Sequence, residues 1–426
     1  MPIRSVPLAA AATAVIACVA AGAAAQTGSD QKPGQRFEIN ANQLPQPYAE
    51  KARSAGSSRV KRGSREPVAP QGFGVTLFAE GLADPRKLMV LPDGTVLLAE
   101  EDANKITWLR DADGDGRAEQ VAVLASGFSG PFGMALVPGG PHRGDLLVAD
   151  SRGIWRVPMA KTSDGKTADP VAVTKMGVFG GGGGHSTRSL AVDPRDGTMY
   201  VGVGSAGNIA EEAAPRATIQ AFDADGANQR TFAAGTRNPV GIHLNPSTGR
   251  LWAVVQERDG LGNDLVPDYM TEVKEGDFFG WPYAYTGGKT MPGFAERAPE
   301  KVKATKMPSL LFQAHSSAMD FAFVPDSWPQ SYRGDAIAAL KGSWNRVPPT
   351  GYKLVHVKFD NGKPAGWYEN FLTGFWVKGK NQARVWGRPA SVAFLPDGGL
   401  LVADDTGGTV WKITPPTSEK TGSVKP

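Results

Sequence analysis

The stretch "GGGGGHSTRSLAVDP", from Gly180, places a histidine directly after five glycines. Each glycine costs roughly 0.5–1 kcal/mol of extra ordering entropy in regular structure. Such a run is either a flexible connector or a place where another group must come close to the main chain. The chain has five histidines. His142 falls in a turn, and His243 and His356 fall on alternating apolar runs, where structural roles suffice. His185, after the glycines, and His315, in "QAHSSAMDF", each stand just ahead of an apolar run. An imidazole with an ordinary pKa near about 6.5 can take a proton at neutral pH, so the chemistry on offer is general-base catalysis. The alternative at both positions is a histidine satisfied inside the structure.

Several cationic or amide-bearing segments sit at comparable places: "GTRNPVG" (Arg237, Asn238), "ERDGLGND" (Arg258 to Asp264), "LKGSWNR" (Lys341, Asn345, Arg346) and "VWGRPAS" (Arg388). Singly, each arginine reads as a loop-bracing donor. If the loops converge, the guanidinium groups suit a polyanionic small molecule, whose carboxylates they match bidentately. "DADGDGRAE" sets Asp111, Asp113 and Asp115 with Gly116 sixth, the front half of an EF-hand-type calcium loop. The twelfth position is Ala122, so Glu119 would have to substitute; the loop is either a structural calcium site or an acidic hairpin turn. "GVGSAG", residues 202–207, matches G-x-G-x-x-G, but no helix long enough for a βαβ crossover follows, which argues against a dinucleotide site.

The elements that must position these residues are short strands. An apolar alternating run, a Pro/Gly/Asp turn and a second apolar run recur six times, with turn prolines at Pro92, Pro138, Pro194, Pro246, Pro325 and Pro396. Each copy reads as a β-hairpin. Blades of four strands occupy roughly 40–50 residues, and the two longest spacings leave room for insertions. The expected fold is all-β, a six-bladed β-propeller over residues 71–415. Residues entering the innermost strands would then face a central channel.

The rest of the chain bounds the setting. Residues 1–25 carry one early arginine, an apolar run and Ala23-Ala24-Ala25, a secretory signal peptide expected to be cut before Gln26. The protein is therefore expected to be periplasmic or secreted. Cys18, the one cysteine, also sits in a lipoprotein-like "VIAC", so a lipid anchor is the alternative. Residues 26–70 hold eight Lys and Arg against four acids and account for the basic balance, leaving residues 71–426 close to neutral. A neutral body argues against nucleic acid as a partner. Residues 26–70 read as a basic, mobile arm whose "LPQPYA" portion docks, and residues 416–426 as a flexible tail.

The motifs "GGHSTRSLAVDP", "RNPVGIHLNPSTGRLW", "ERDGLGNDLVPDY", "FFGWPYAY", "YRGDAIAALKGSWNR" and "WGRPASVAFLPDG" together resemble the pyrroloquinoline quinone (PQQ)-dependent sugar dehydrogenases, the family of soluble glucose dehydrogenase and the sorbosone dehydrogenases. The resemblance implies a six-bladed propeller, PQQ and Ca²⁺ as cofactors, a sugar or sugar-aldehyde substrate, and a cytochrome or quinone as electron acceptor. By the same resemblance His185 is the general base and Arg237 faces the reactive carbonyl. Asn238, Arg258, Ser316, Lys341, Arg346 and Arg388 hold the cofactor, and the Asp259-Gly260-Leu261 turn offers main-chain oxygens to a cofactor-linked calcium. The glucose-oxidising members carry acids where this chain has Gly184 and, approximately, Ser205. An unoriented His185 would therefore act near its ordinary pKa. Lys341 also stands where many sorbosone-type members have histidine. Two other readings of the fold are a calcium lactonase, which would need carboxylates at the channel, and a non-catalytic binding propeller.

Overall fold

The computed structural model describes residues 30–161, 169–181 and 183–416. The expected signal peptide with Cys18, and all but the first residue of the expected tail, lie outside these. The described chain is all-β apart from short helical turns and one six-residue helix, Pro299–Ala304. Six antiparallel sheets dominate it, each begun by one of the six hairpins. Their first strands are Pro85–Val90, Gly133–Leu136, Arg188–Val192, Asn238–Leu244, Ala318–Phe323 and Pro389–Phe394.

Register follows from the two-residue period, which sends alternate side chains to opposite faces. In the first hairpin Leu88 faces Leu98 and Val90 faces Val96; in the last, Val392 faces Val402. Both faces of each sheet are apolar because each sheet lies between two others. Leu97, Ala99 and Ile106 of the first sheet meet Met134, Leu146 and Val148 of the second. Comparable layers join the second to the third, the third to the fourth, the fourth to the fifth and the fifth to the sixth. Leu88, Val96 and Leu98 then meet Leu401, Ala403 and Val410, which brings the sixth sheet against the first. Gly74–Glu80, ahead of the first sheet in sequence, supplies the fourth strand of the sixth. The arrangement is propeller-like.

The two long spacings hold insertions, as expected. The fourth sheet carries a small hairpin, Ala284–Tyr285 with Lys289–Thr290, and the lone helix. The fifth is followed by Trp376–Lys378 paired with Arg384–Val385.

The arm departs from expectation. Residues 30–70 lie along the sheets rather than standing free. Arg36–Phe37 forms a fifth strand on Tyr368 and Glu369, with Phe37 stacked on Tyr368 at 5.3 Å. Ser58–Arg59 runs parallel to Arg384–Val385, and Lys353 Nζ reaches Asp30 at 3.3 Å. Leu44, in the "LPQPYA" stretch, packs on Leu261 and Leu265. The composition is too polar to build a core, but an open strand edge offers hydrogen bonds that need none.

Candidate active site

The first strands begin at one end of the molecule, and so do the side chains that precede them. Arg86, His185, Arg237, Asn238, Ser317 and Arg388 all line one cavity of about 540 Å³. The second strands run back to the same end, bringing Gln256, Glu257 and Lys341 to it.

His185 is held through its main chain and its ring. Its amide donates to the Ser205 carbonyl at 3.1 Å, and Nδ1 donates to that same carbonyl at 2.8 Å. A carbonyl can only accept, so the proton sits on Nδ1 and Nε2 carries the lone pair. The ring is therefore oriented by a backbone oxygen rather than a carboxylate. Gly184 explains why no acid stands there: at φ +70, a Cβ would fall 2.3 Å from Ala206 Cα. Gly204 is equally confined, its Cβ position 2.4 Å from Asn238 Oδ1 and 2.6 Å from His185 Cβ. Gly184 and Gly204 thus serve close approach of the chain to itself, whereas Gly181 and Gly183 have open space around them. Burial, then the Arg237 charge, pushes the imidazole down to about 4, a correction to the ordinary value expected from sequence.

Arg237 is buried and braced by the Glu257 carbonyl at 2.8 Å, Asn208 Oδ1 at 3.0 Å and Asp259 Oδ2 at 3.4 Å. The same cavity holds a cationic wall organised by Asp405, whose carboxylate meets Lys341 at 2.6 Å, Arg86 at 2.9 Å and Arg388 at 3.1 Å. Burial opposes ionisation of Asp405, yet Lys341, Arg86 and Arg388 together hold it well below the usual carboxylate range. Burial and then Arg86 pull Lys341 down to about 8. Asn238, Asn345 and Thr187 line the same cavity, and their Oδ1, Oδ1 and Oγ1 atoms are buried with no hydrogen-bond partner among the described residues.

Other expected residues fall elsewhere. Arg258 is fully buried beneath the cavity, spending its donors on Glu257 at 2.9 Å and on the Pro282 and Ala284 carbonyls. Ser316 is buried, 3.4 Å from Asp268, and Arg346 pairs with Asp264 at 2.5 Å; neither lines the cavity. In the Asp259-Gly260-Leu261 turn only Asp259 does so. Its carbonyl accepts from Asn208 Nδ2 at 2.9 Å, while the Leu261 carbonyl accepts from the Tyr48 amide at 2.7 Å. Leu261 itself belongs to an apolar cluster with Leu265, Val266 and Tyr285. The main-chain calcium set drawn from the resemblance therefore does not fit this turn. His315 is in the cavity, but its ring nitrogens are spent on Asp259 at 3.3 Å and the Gly262 carbonyl at 2.9 Å.

Asp111, Asp113, Asp115 and Glu119 lie far along the first sheet, in the loop between Lys105–Arg110 and Gln120–Ser126. Their ligand oxygens all lie within 4.8 Å of one another, the one such cluster among the described residues. Asp111 already accepts the Gly114 and Gly116 amides at 2.7 and 2.9 Å.

The sequence reading missed Arg86, Asp405, Gln256 and Asp268. Arg86 had a signal. It follows Pro85 at the start of a first strand, as Arg237 precedes Asn238-Pro239 and Arg388 precedes Pro389. The proline marks only three of the six first strands, and the arginine stands at a different offset from it in each, so the signal is a shared neighbourhood rather than a register.

Residues 67–282 and 296–416 match the protein family described as TrAA12-like. A protein of Borreliella burgdorferi described as uncharacterized is 30% identical over 235 residues, 54% of this chain and 60% of that one. A pyrroloquinoline quinone-dependent pyranose dehydrogenase of Coprinopsis cinerea is 25% identical over 407 residues, 80% of this chain and 54% of that enzyme. The chain thus spans little more than half the length of these curated relatives. Among solved structures, the holo PQQ domain of pyranose dehydrogenase from Coprinopsis cinerea superposes with a TM-score of 0.68 at 20% identity, covering 85% of this chain and 100% of that domain. The likeness is one of fold.

Proposed function

Because the chain belongs to the TrAA12-like family, we propose that it is a six-bladed propeller enzyme that oxidises a sugar at its hydroxyl-bearing C1 with PQQ as cofactor. One observation carries this reading: a neutral histidine whose Nε2 has no hydrogen-bond partner among the described residues shares a cavity with a wall of three cations. A flat tricarboxylate suits that wall. When bound, PQQ supplies an ortho-quinone able to accept a hydride. His185 Nε2 takes the proton of the substrate hydroxyl as its carbon is oxidised. Arg237, fixed by Asn208 and Asp259, places positive charge beside the base and favours its neutral form. Arg86, Lys341 and Arg388 bind carboxylates and orient the ligand.

The hydrolase alternative needs carboxylates free to hold a channel metal. Here Asp259 is engaged by His315, Asn345 and Arg237, and Asp268 by the Glu257 and Ser317 amides at 2.9 and 2.6 Å. Calcium is proposed instead at the Asp111–Glu119 loop, as a structural ion. As part of the same proposal, the apolar N-terminal segment delivers the chain outside the cytoplasm, and electrons leave to a cytochrome or quinone.

A dye-linked assay across an aldose panel tests the reading. PQQ should confer turnover; turnover with NAD and no quinone would overturn it. Lys341 adds a pH signature. Its charged form binds carboxylate, and with a pKa of about 8 that form is lost above this pH. The affinity of the free protein for PQQ is therefore expected to fall as pH rises through about 8. Affinity that stays flat to about pH 9 in a fluorescence titration would remove Lys341 from the cofactor wall.

A further inference from the structure

We propose that Trp344, held by the Ala55–Ser57 stretch of the arm, forms an outer subsite that receives the apolar face of a ring-closed sugar. This rests on the sugar-oxidising reading above and adds which substrates that site accepts and which residues select them.

Trp252, Trp328, Trp386 and Trp411 are fully buried, whereas Trp344 is 54% exposed. It is exposed in a cavity lined mostly by polar and charged side chains, with Val240 and Met319 the other large apolar ones, alongside Gly56 and Ser57. A large indole left in water at such a place is a binding surface rather than core.

Its position is fixed from two sides. The Ala55 amide donates to the Trp344 carbonyl at 2.6 Å, and Gln382 Nε2 holds the Gly56 carbonyl at 2.7 Å. The next residue along, Asn345, is tied by its side-chain amide to the Asp259 carboxylate. The arm is therefore a wall of the site, and the strand Ser58–Arg59 anchors that wall to the fifth sheet's insertion. A Cβ at Gly56 would stand 3.8 Å from Trp344 Cβ, in ordinary contact, and Gly56 does not have a positive φ. A side chain there would enter the rim without backbone strain.

A pyranose presents a face of C–H groups bounded by hydroxyls. The indole suits the face, while Ser57 suits the hydroxyls. A short open-chain hydroxyaldehyde has no such face, so the subsite selects the ring.

The test uses the full chain loaded with PQQ, comparing wild type, Trp344→Ala, Trp344→Phe and Gly56→Phe on pyranoses and on glyceraldehyde. Trp344→Ala is expected to raise KM for pyranoses about tenfold, with kcat within about twofold and glyceraldehyde kinetics unchanged. Trp344→Phe should recover most of that loss, and Gly56→Phe should raise the pyranose KM by crowding the rim. PQQ affinity, read by fluorescence titration of the apoprotein, should stay at the wild-type value in all three. An unchanged pyranose KM in Trp344→Ala overturns the subsite, as does a parallel loss of PQQ affinity, which would make Trp344 a support of the cofactor loop. If the wild type oxidises no sugar with PQQ, the functional reading itself fails and the subsite with it.

Discussion

His185→Ala is expected to lower kcat by about 10²–10⁴-fold while binding PQQ as tightly as wild type. A base acts on the transition state, and the cofactor's carboxylates would be met by Arg86, Lys341 and Arg388, which the substitution does not touch. Stopped-flow turnover set beside equilibrium cofactor titration separates the two effects. The pH profile of the wild type sharpens the point. Burial and Arg237 push the imidazole down to about 4, so it is already neutral at mildly acidic pH. Activity limited by this base should stay level down to about pH 5 and fall as the pH drops through about 4. A midpoint near the ordinary value of about 6.5 would mean that another group limits the rate. Near-wild-type turnover by His185→Ala would move the base elsewhere. His315 is poorly placed for it, since both its ring nitrogens are already engaged.

The second large effect concerns stability. Asp405 is buried, and its carboxylate is the shared partner of Lys341, Arg86 and Arg388. Removing one member of a buried charged cluster leaves the others uncompensated, which costs about 3–5 kcal/mol. Asp405→Ala should therefore lower the unfolding free energy measured in urea by that order, and saturating PQQ should restore part of the loss by bringing carboxylates to the same cations. A change below about 1 kcal/mol would show that water or Glu101, 2.8 Å from Arg86, already compensates them.

The fold was legible because its signal repeats. Six apolar runs, each broken by a proline-bearing turn, specify six hairpins without reference to anything distant. The positions just before the first strands then pointed to His185, Arg237, Asn238 and Arg388. What was illegible depended on partners far along the chain. Arg258 has the same residue type as Arg237 and sits in an equally suggestive loop, yet the carbonyls of Pro282 and Ala284 draw it under the floor. Asp405 reads as an ordinary turn acid until three sheets bring cations to it. The carbonyl that orients His185 left no signature, because every residue has one; only the Ser205 hydroxyl, 3.2 Å from the same Nδ1, marked the place. The arm's polarity was read correctly, but polarity alone does not show that strand edges stand open beside it.

The central claim is that the cavity between His185 and the Asp405-centred cations is a PQQ site, and direct titration of the apoprotein with PQQ tests it most plainly. One PQQ should bind per chain, as tightly in His185→Ala as in wild type and at least about tenfold more weakly in Arg388→Ala, which removes one carboxylate partner. Absence of saturable binding, or binding that ignores Arg388, would contradict the account.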